Sequence, residues 1–155
     1  MKDNKLYKVG ISDCVKQIIA INKELDDHDS RQDAHMIFIQ KLQTRIERLE
    51  NEKNIKCGVI HFPSIKPLDS RTLLKWIKKV KKIITVEENV LSGGFGSSVL
   101  EFCSDHLKEH LRKISRVGLK DAFVDDYGDQ SSLLDKYSIT DTKLANKMLK
   151  LIKND

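Results

Sequence analysis

The sequence predicts an α/β fold of three layers, with helices on both faces of a mostly parallel mixed sheet of about five strands. Short β-like runs alternate with longer stretches whose apolar residues recur every three or four positions. At least one run, Ile83-Ile84-Thr85-Val86, is nearly continuous in β-branched residues, as a strand covered on both faces requires. The 155 residues suffice for one such domain over 1–155 and fall short of the several domains of a large cofactor enzyme.

The first run, Leu6-Tyr7-Lys8-Val9, predicts a strand. A helix is predicted from about Ser12 to Leu25, with Ser12 or Asp13 as cap and Val15, Ile18, Ile19 and Asn22 on one face. The polar stretch Asp26 to Arg31 interrupts the pattern before a second amphipathic helix bearing Ile39, Leu42, Ile46 and Leu49. Barely two heptads are present there, which favours an ordinary helix over a coiled coil. Gly58-Val59-Ile60-His61-Phe62 predicts the next strand, and a lysine-rich helix follows over Ser70 to Val80, capped by Asp69 or Ser70. The strand Ile83 to Val86 ends in Glu87-Glu88-Asn89, and a glycine-rich loop runs from Val90 to Ser98. Leu100, Cys103, Leu107 and Leu111 then form a helical stripe. A short strand, Ile114 to Val117, precedes an irregular acidic stretch, and helices around Leu133 to Tyr137 and from about Thr140 close the chain.

Composition excludes several function classes. No apolar run approaches the roughly 18 to 20 residues of a membrane span, and Met1 to Lys5 lack the apolar core of a secretory signal. The net charge of +5 comes from 22 lysines against 6 arginines. A nucleic-acid reader would interleave more arginine with aromatics. The lysines of the Ser70 to Val80 helix instead suggest a solvated face. Cys14, Cys57 and Cys103 are odd in number and far apart, which argues against a disulfide framework or a zinc site and suits a reducing compartment.

Three linked pieces carry a family resemblance: Ile65-Lys66-Pro67-Leu68-Asp69; Thr85-Val86-Glu87-Glu88-Asn89 with Gly93-Gly94-Phe95-Gly96-Ser97; and Arg116-Val117-Gly118-Leu119-Lys120-Asp121-Ala122-Phe123. In order and spacing they resemble the C-terminal domain of thiamine-diphosphate enzymes of the transketolase superfamily, the 1-deoxy-D-xylulose-5-phosphate synthases above all. The resemblance covers Ile65 to about Ile152, including the tail Leu133 to Thr140. Transketolase and the ketoacid dehydrogenase beta subunits share the domain, but their tails match less well. Relative to the family, about two dozen extra residues suggest an insertion within about 26–50, and the acidic run Asp125 to Asp129 replaces a shorter turn.

The resemblance implies a parent that condenses pyruvate with glyceraldehyde 3-phosphate, releasing carbon dioxide, at the head of non-mevalonate isoprenoid synthesis. Thiamine diphosphate and Mg2+ would be held by a Gly-Asp-Gly motif with a downstream asparagine in one other domain, and the cofactor would be activated by a glutamate in another. Gly128-Asp129-Gln130 lacks the glycine at that motif's third position. No catalytic, cofactor or metal residue is therefore assigned here. The implied work is to complete the fold and support a homodimer, with the other domains of the parent as partners and no nucleic acid or membrane. The compartment is the bacterial cytoplasm or a plastid-type organelle, the lysine-heavy composition favouring the organelle.

The candidate site is a domain junction or anion loop: Glu87, Glu88, Asn89, Gly93, Gly94, Phe95, Gly96 and Ser97. A bend between strand and helix offers free amides to a phosphate, but close packing at a junction is favoured because no G-x-G-x-x-G is complete. Glu87 and Glu88, adjacent on a strand, should point to opposite sides and so make a poor acid/base pair. His106 and His110 lack a third ligand and the glutamate of H-E-x-x-H. His61 has no nucleophile to pair with. Two other classes stay open: a free-standing phosphate- or nucleotide-binding protein, and a scaffold acting through the inserted helix.

Overall fold

The computed structural model describes residues 17–22, 29–53, 56–122 and 127–153. Among them the sheet has four strands, all parallel: β1 (Gln17–Asn22), β2 (Cys57–His61), β3 (Lys82–Val90) and β4 (Ile114–Leu119), in the order β2-β1-β3-β4. The helices are α1 (Asp29–Lys53), α2 (Ser70–Lys79), α3 (Phe95–His106), α4 (Gln130–Lys136) and α5 (Asp141–Lys153), with a 3-10 turn at Lys108–Lys113.

Strand order decides which face each helix covers. Parallel crossovers are right-handed, so a step from β1 to β2 in one direction puts α1 on one face of the sheet. The steps β2 to β3 and β3 to β4 run the opposite way and put α2 and α3 on the other face. Two core clusters record this. One joins Ile60, Phe62 and Ile83 to Leu73, Trp76 and Ile77 of α2 and to Phe95, Val99 and Cys103 of α3. The second joins Val59, Ile84, Val86 and Val117 to Ile39, Leu42 and Ile46 of α1 and to Leu144 and Met148 of α5. Successive residues of β3 alternate between the clusters, as the pleat demands.

The helix predicted over Ser12 to Leu25 is corrected: Gln17–Asn22 is the central strand β1, paired on both sides with β2 and β3. The run Ile18-Ile19-Ala20-Ile21 satisfies helical spacing and a continuous strand equally well, so periodicity alone does not separate them. Ladders with two neighbours decide for the strand. The predicted strand Leu6 to Val9 lies outside the described residues. The segment expected to hold an insertion is occupied, from Asp29, by the single helix α1. Its Ile39, Leu42 and Ile46 are buried within the chain's own core, not presented for a coiled coil.

The stripe predicted for α3 is also shifted. The helix starts at Phe95, inside the predicted loop, and its buried face is Phe95, Val99 and Cys103, continued by Leu107, each four residues apart. Leu100 and Leu111 are only half-buried. Burial pushes the Cys103 thiol up to about 11, which keeps it protonated and unreactive at neutral pH.

Candidate functional site

The glycine-rich bend lies at the carboxyl end of β3. On this strand Ile83, Thr85 and Glu87 face α3, so the first polar position after the buried run is aimed at the start of that helix. Glu87 is 1% exposed. Its Oε2 accepts a hydrogen bond from the Phe95 amide at 2.6 Å and its Oε1 one from the Gly96 amide at 2.9 Å. These are the first two amides of α3, which have no acceptor within the helix. Gly94, at the cap position, has no side chain to offer. A carboxylate from eight and nine residues upstream therefore does the capping, with its charge at the positive end of the helix.

Removing this carboxylate from water raises its pKa above the ordinary value. The Gly96 and Phe95 amides and the Arg116 guanidinium act in the opposite direction without cancelling the burial.

Three glycines make room for the arrangement. A methyl group on Gly94 would collide with Glu87 Oε2 and lie 2.6 Å from the Val90 carbonyl oxygen. One on Gly118 would meet Glu87 Cγ and the Asn89 carbonyl oxygen, each at 2.9 Å. One on Gly96 would meet Arg116 Cδ at 2.7 Å and Thr85 Oγ1 at 2.8 Å. Gly93 is different: its φ is +72° and nothing lies within 4 Å of the added carbon, so it supplies the turn and not the close approach. Beside this turn, β3 and β4 shift register. Val86 pairs with Val117 and Val90 with Leu119, so Glu87, Glu88 and Asn89 bulge opposite Gly118 alone.

A second anchor ties the bend to β4. Arg116 Nη1 donates to the Leu91 carbonyl oxygen and to Ser97 Oγ, both at 3.0 Å, and Ser97 Oγ donates to the same carbonyl at 2.6 Å. Phe95 is fully buried and packs at a tilt against Phe62, with a centroid distance of 5.2 Å. The two rings come from the segments that follow β3 and β2, which flank β1. They join the core cluster that α2 and α3 cover.

The predicted site residues thus divide. Glu87, Gly94, Phe95 and Gly96 meet in one buried cluster, with half-buried Ser97 at its edge. Glu88 is half-exposed and accepts from Gln130 Nε2 at 3.2 Å, while exposed Asn89 accepts from the Val90 amide through its own side chain at 2.7 Å. The Phe95 and Gly96 amides are engaged by Glu87. Arg116, Gly118 and Thr85 belong to the junction too, although sequence reasoning gave them no role. The signal was a lone arginine inside a short strand followed by a glycine.

The other candidates are scattered. The His106 ring packs on Phe102 at 4.8 Å, and His110 lies 3.6 Å from Glu109. Asp129 caps α4, accepting from the Ser132 amide and Ser131 Oγ, each at 2.7 Å. Among the described residues no group of three or more His, Cys, Asp or Glu side chains could hold a metal ion, and no helix is long and apolar enough to cross a membrane.

Comparison with known proteins agrees with this architecture. A family model described as the transketolase C-terminal domain matches residues 39–144, more than half of the chain. A 1-deoxy-D-xylulose-5-phosphate synthase of Halothermothrix orenii is 39% identical over 105 residues, covering 68% of this chain and 16% of the relative. One from Geobacillus thermodenitrificans is 40% identical over 94 residues, covering 61% of this chain and 15% of the relative. The chain therefore spans about a sixth of the length of these relatives. A solved structure titled a split-gene transketolase, inactive beta4 tetramer, covers 87% of this chain and 38% of that one, with a TM-score of 0.65 at 24% identity, and shows the same fold. By the family match and the shared fold, this chain belongs to the transketolase C-terminal domain family.

Proposed function

We propose that this chain is the C-terminal domain of a thiamine-diphosphate-dependent synthase that joins pyruvate to glyceraldehyde 3-phosphate, with loss of carbon dioxide, to give 1-deoxy-D-xylulose 5-phosphate. The observation that carries this reading is the 37% to 43% identity to synthases of that name. The domain's own work is structural. It spans 1–155, with the insertion within about 26–50, completes the fold of the parent, and supports a homodimer through the other domains.

The described residues do not suit thiamine diphosphate or its Mg2+. The deeply buried carboxylate, Glu87, is engaged by two helix amides, and among the described residues no cluster of metal-ligating side chains lies near it. The junction of Glu87, Gly94, Phe95, Gly96 and Ser97 instead holds the carboxyl edge of the sheet in one shape, a rigid surface against which other domains can pack. The relatives named above are bacterial, which supports a bacterial-type parent in the cytoplasm. A plastid-type location draws no support from them.

The test is a domain exchange. This chain replaces the corresponding segment of the Halothermothrix orenii synthase, and product formation from pyruvate and glyceraldehyde 3-phosphate is followed. Turnover by the chimera, with none by the 155-residue chain alone, is expected. A folded but inactive chimera, or turnover by the isolated chain, would contradict the proposal.

A further inference from the structure

We propose that the outer crest of α2 is a docking site for an acidic polypeptide surface. The segment from Ser70 to Lys82 carries six cations, Arg71, Lys75, Lys78, Lys79, Lys81 and Lys82, and no anion. The whole chain has a formal charge of +5, so the residues outside this segment sum to −1. This segment alone thus carries more positive charge than the chain's net total.

Burial of Leu73, Trp76 and Ile77 fixes how α2 sits on the sheet and turns the opposite side to solvent. Arg71, Lys75 and Lys78 lie on that side at i, i+4 and i+7, a row of roughly 10 Å along the helix, and all three are exposed. Like charges at these spacings repel. Arg71 and Lys78 have no ion pair within the described residues, and Lys75 lies over the Trp76 ring at 5.5 Å. The acid that precedes the helix, Asp69, engages the Thr72 amide at 3.0 Å. The crest is a repulsive row that an external anion would relieve.

The kind of anion follows from what the crest lacks. Trp76 is 7% exposed, and the large hydrophobics exposed among the described residues, Ile37 and Tyr127, lie on other elements. No ring is presented to stack on bases, and no apolar side chain to enter a bilayer. Lysine ammonium groups on flexible stems, with one arginine, suit the mobile carboxylates of an acidic protein surface. This inference is independent of the parent enzyme's identity.

A fluorescein-labelled polyglutamate peptide, titrated with the 155-residue chain and read by anisotropy at low ionic strength, tests the inference. Duplex DNA and phosphatidylglycerol vesicles serve as parallel probes. The triple variant Arg71→Glu, Lys75→Glu, Lys78→Glu should weaken polyglutamate binding by at least about tenfold. The charge-matched control Lys41→Glu, Lys150→Glu, Lys153→Glu, exposed on α1 and α5 of the opposite face, should bind like the parent chain. Circular dichroism should show both variants folded like the parent chain. Salt should weaken binding as the screening length contracts from about 30 Å at 0.01 M to about 8 Å at 0.15 M. Equal loss in the two variants, no polyglutamate binding at low salt, or tighter crest-dependent binding of DNA or vesicles would overturn the proposal.

Discussion

Helices α2 and α3 begin with the same deficit, amides that have no acceptor inside the helix, and resolve it in opposite ways. Asp69 caps α2 from the adjacent position, its carboxylate accepting from the Thr72 amide three residues on, in a half-exposed setting. Glu87 caps α3 from the end of a different element, fully buried, with both oxygens engaged. A local cap stabilises only its own helix. The remote cap fixes where α3 docks on the sheet, so its loss should propagate into the junction.

The largest effect is expected from Glu87→Ala. It leaves the Phe95 and Gly96 amides buried without an acceptor and opens a cavity, at a cost of about 3 to 5 kcal/mol, measurable by urea unfolding. A loss no larger than that of an ordinary surface cap would break the comparison. Gly94→Ala comes next, at about 2 to 3 kcal/mol, because the added methyl collides with the Glu87 carboxylate and the Val90 carbonyl. Its neighbour sharpens the point: Gly93→Ala meets no atom and should cost only about 1 kcal/mol of backbone strain. Asp69→Ala should also cost about 1 kcal/mol, without disturbing α3.

Acidity separates the two kinds of cap further. Burial raises the Glu87 carboxyl above its ordinary value of 4.5, so the folded chain binds this proton more tightly than the unfolded one. Its contribution is fully present below pH 4.5 and is lost as pH rises through the higher folded value. Glu87→Gln should remove that decline from the stability profile. Asp129, an exposed local cap held below its ordinary 3.8 by the Ser132 amide and Ser131 hydroxyl, has the opposite sign. Its contribution is present above 3.8 and is lost as pH falls through the lower folded value.

The same contrast explains what could be seen in the sequence. Asp69 or Ser70 as cap and a helix over Ser70 to Val80 were legible because cap, amide and apolar stripe lie within a few residues of one another. Strand Ile83 to Val86 was legible from its β-branched run, although the ladder extends it to Val90 through the bulge opposite Gly118. The run Ile18 to Ile21 was not, since its identity as the central strand depends on neighbours far along the chain. The set from Glu87 to Ser97 stood out as a candidate junction or anion loop through its glycines. That Glu87 caps the next helix, and that Arg116 locks Ser97 to Leu91, depend on how α3 and β4 meet β3, which no local pattern encodes.

Hydrogen exchange at the Phe95 and Gly96 amides, followed by NMR, tests the central claim most directly. First-turn amides ordinarily exchange freely because no helical carbonyl accepts them. With Glu87 as acceptor, both should be protected to nearly the level of the β3 core amides, and both should lose that protection in Glu87→Ala under conditions where the sheet stays folded. Exchange in the parent chain as fast as at the exposed Ser92 and Gly93 amides would contradict the account.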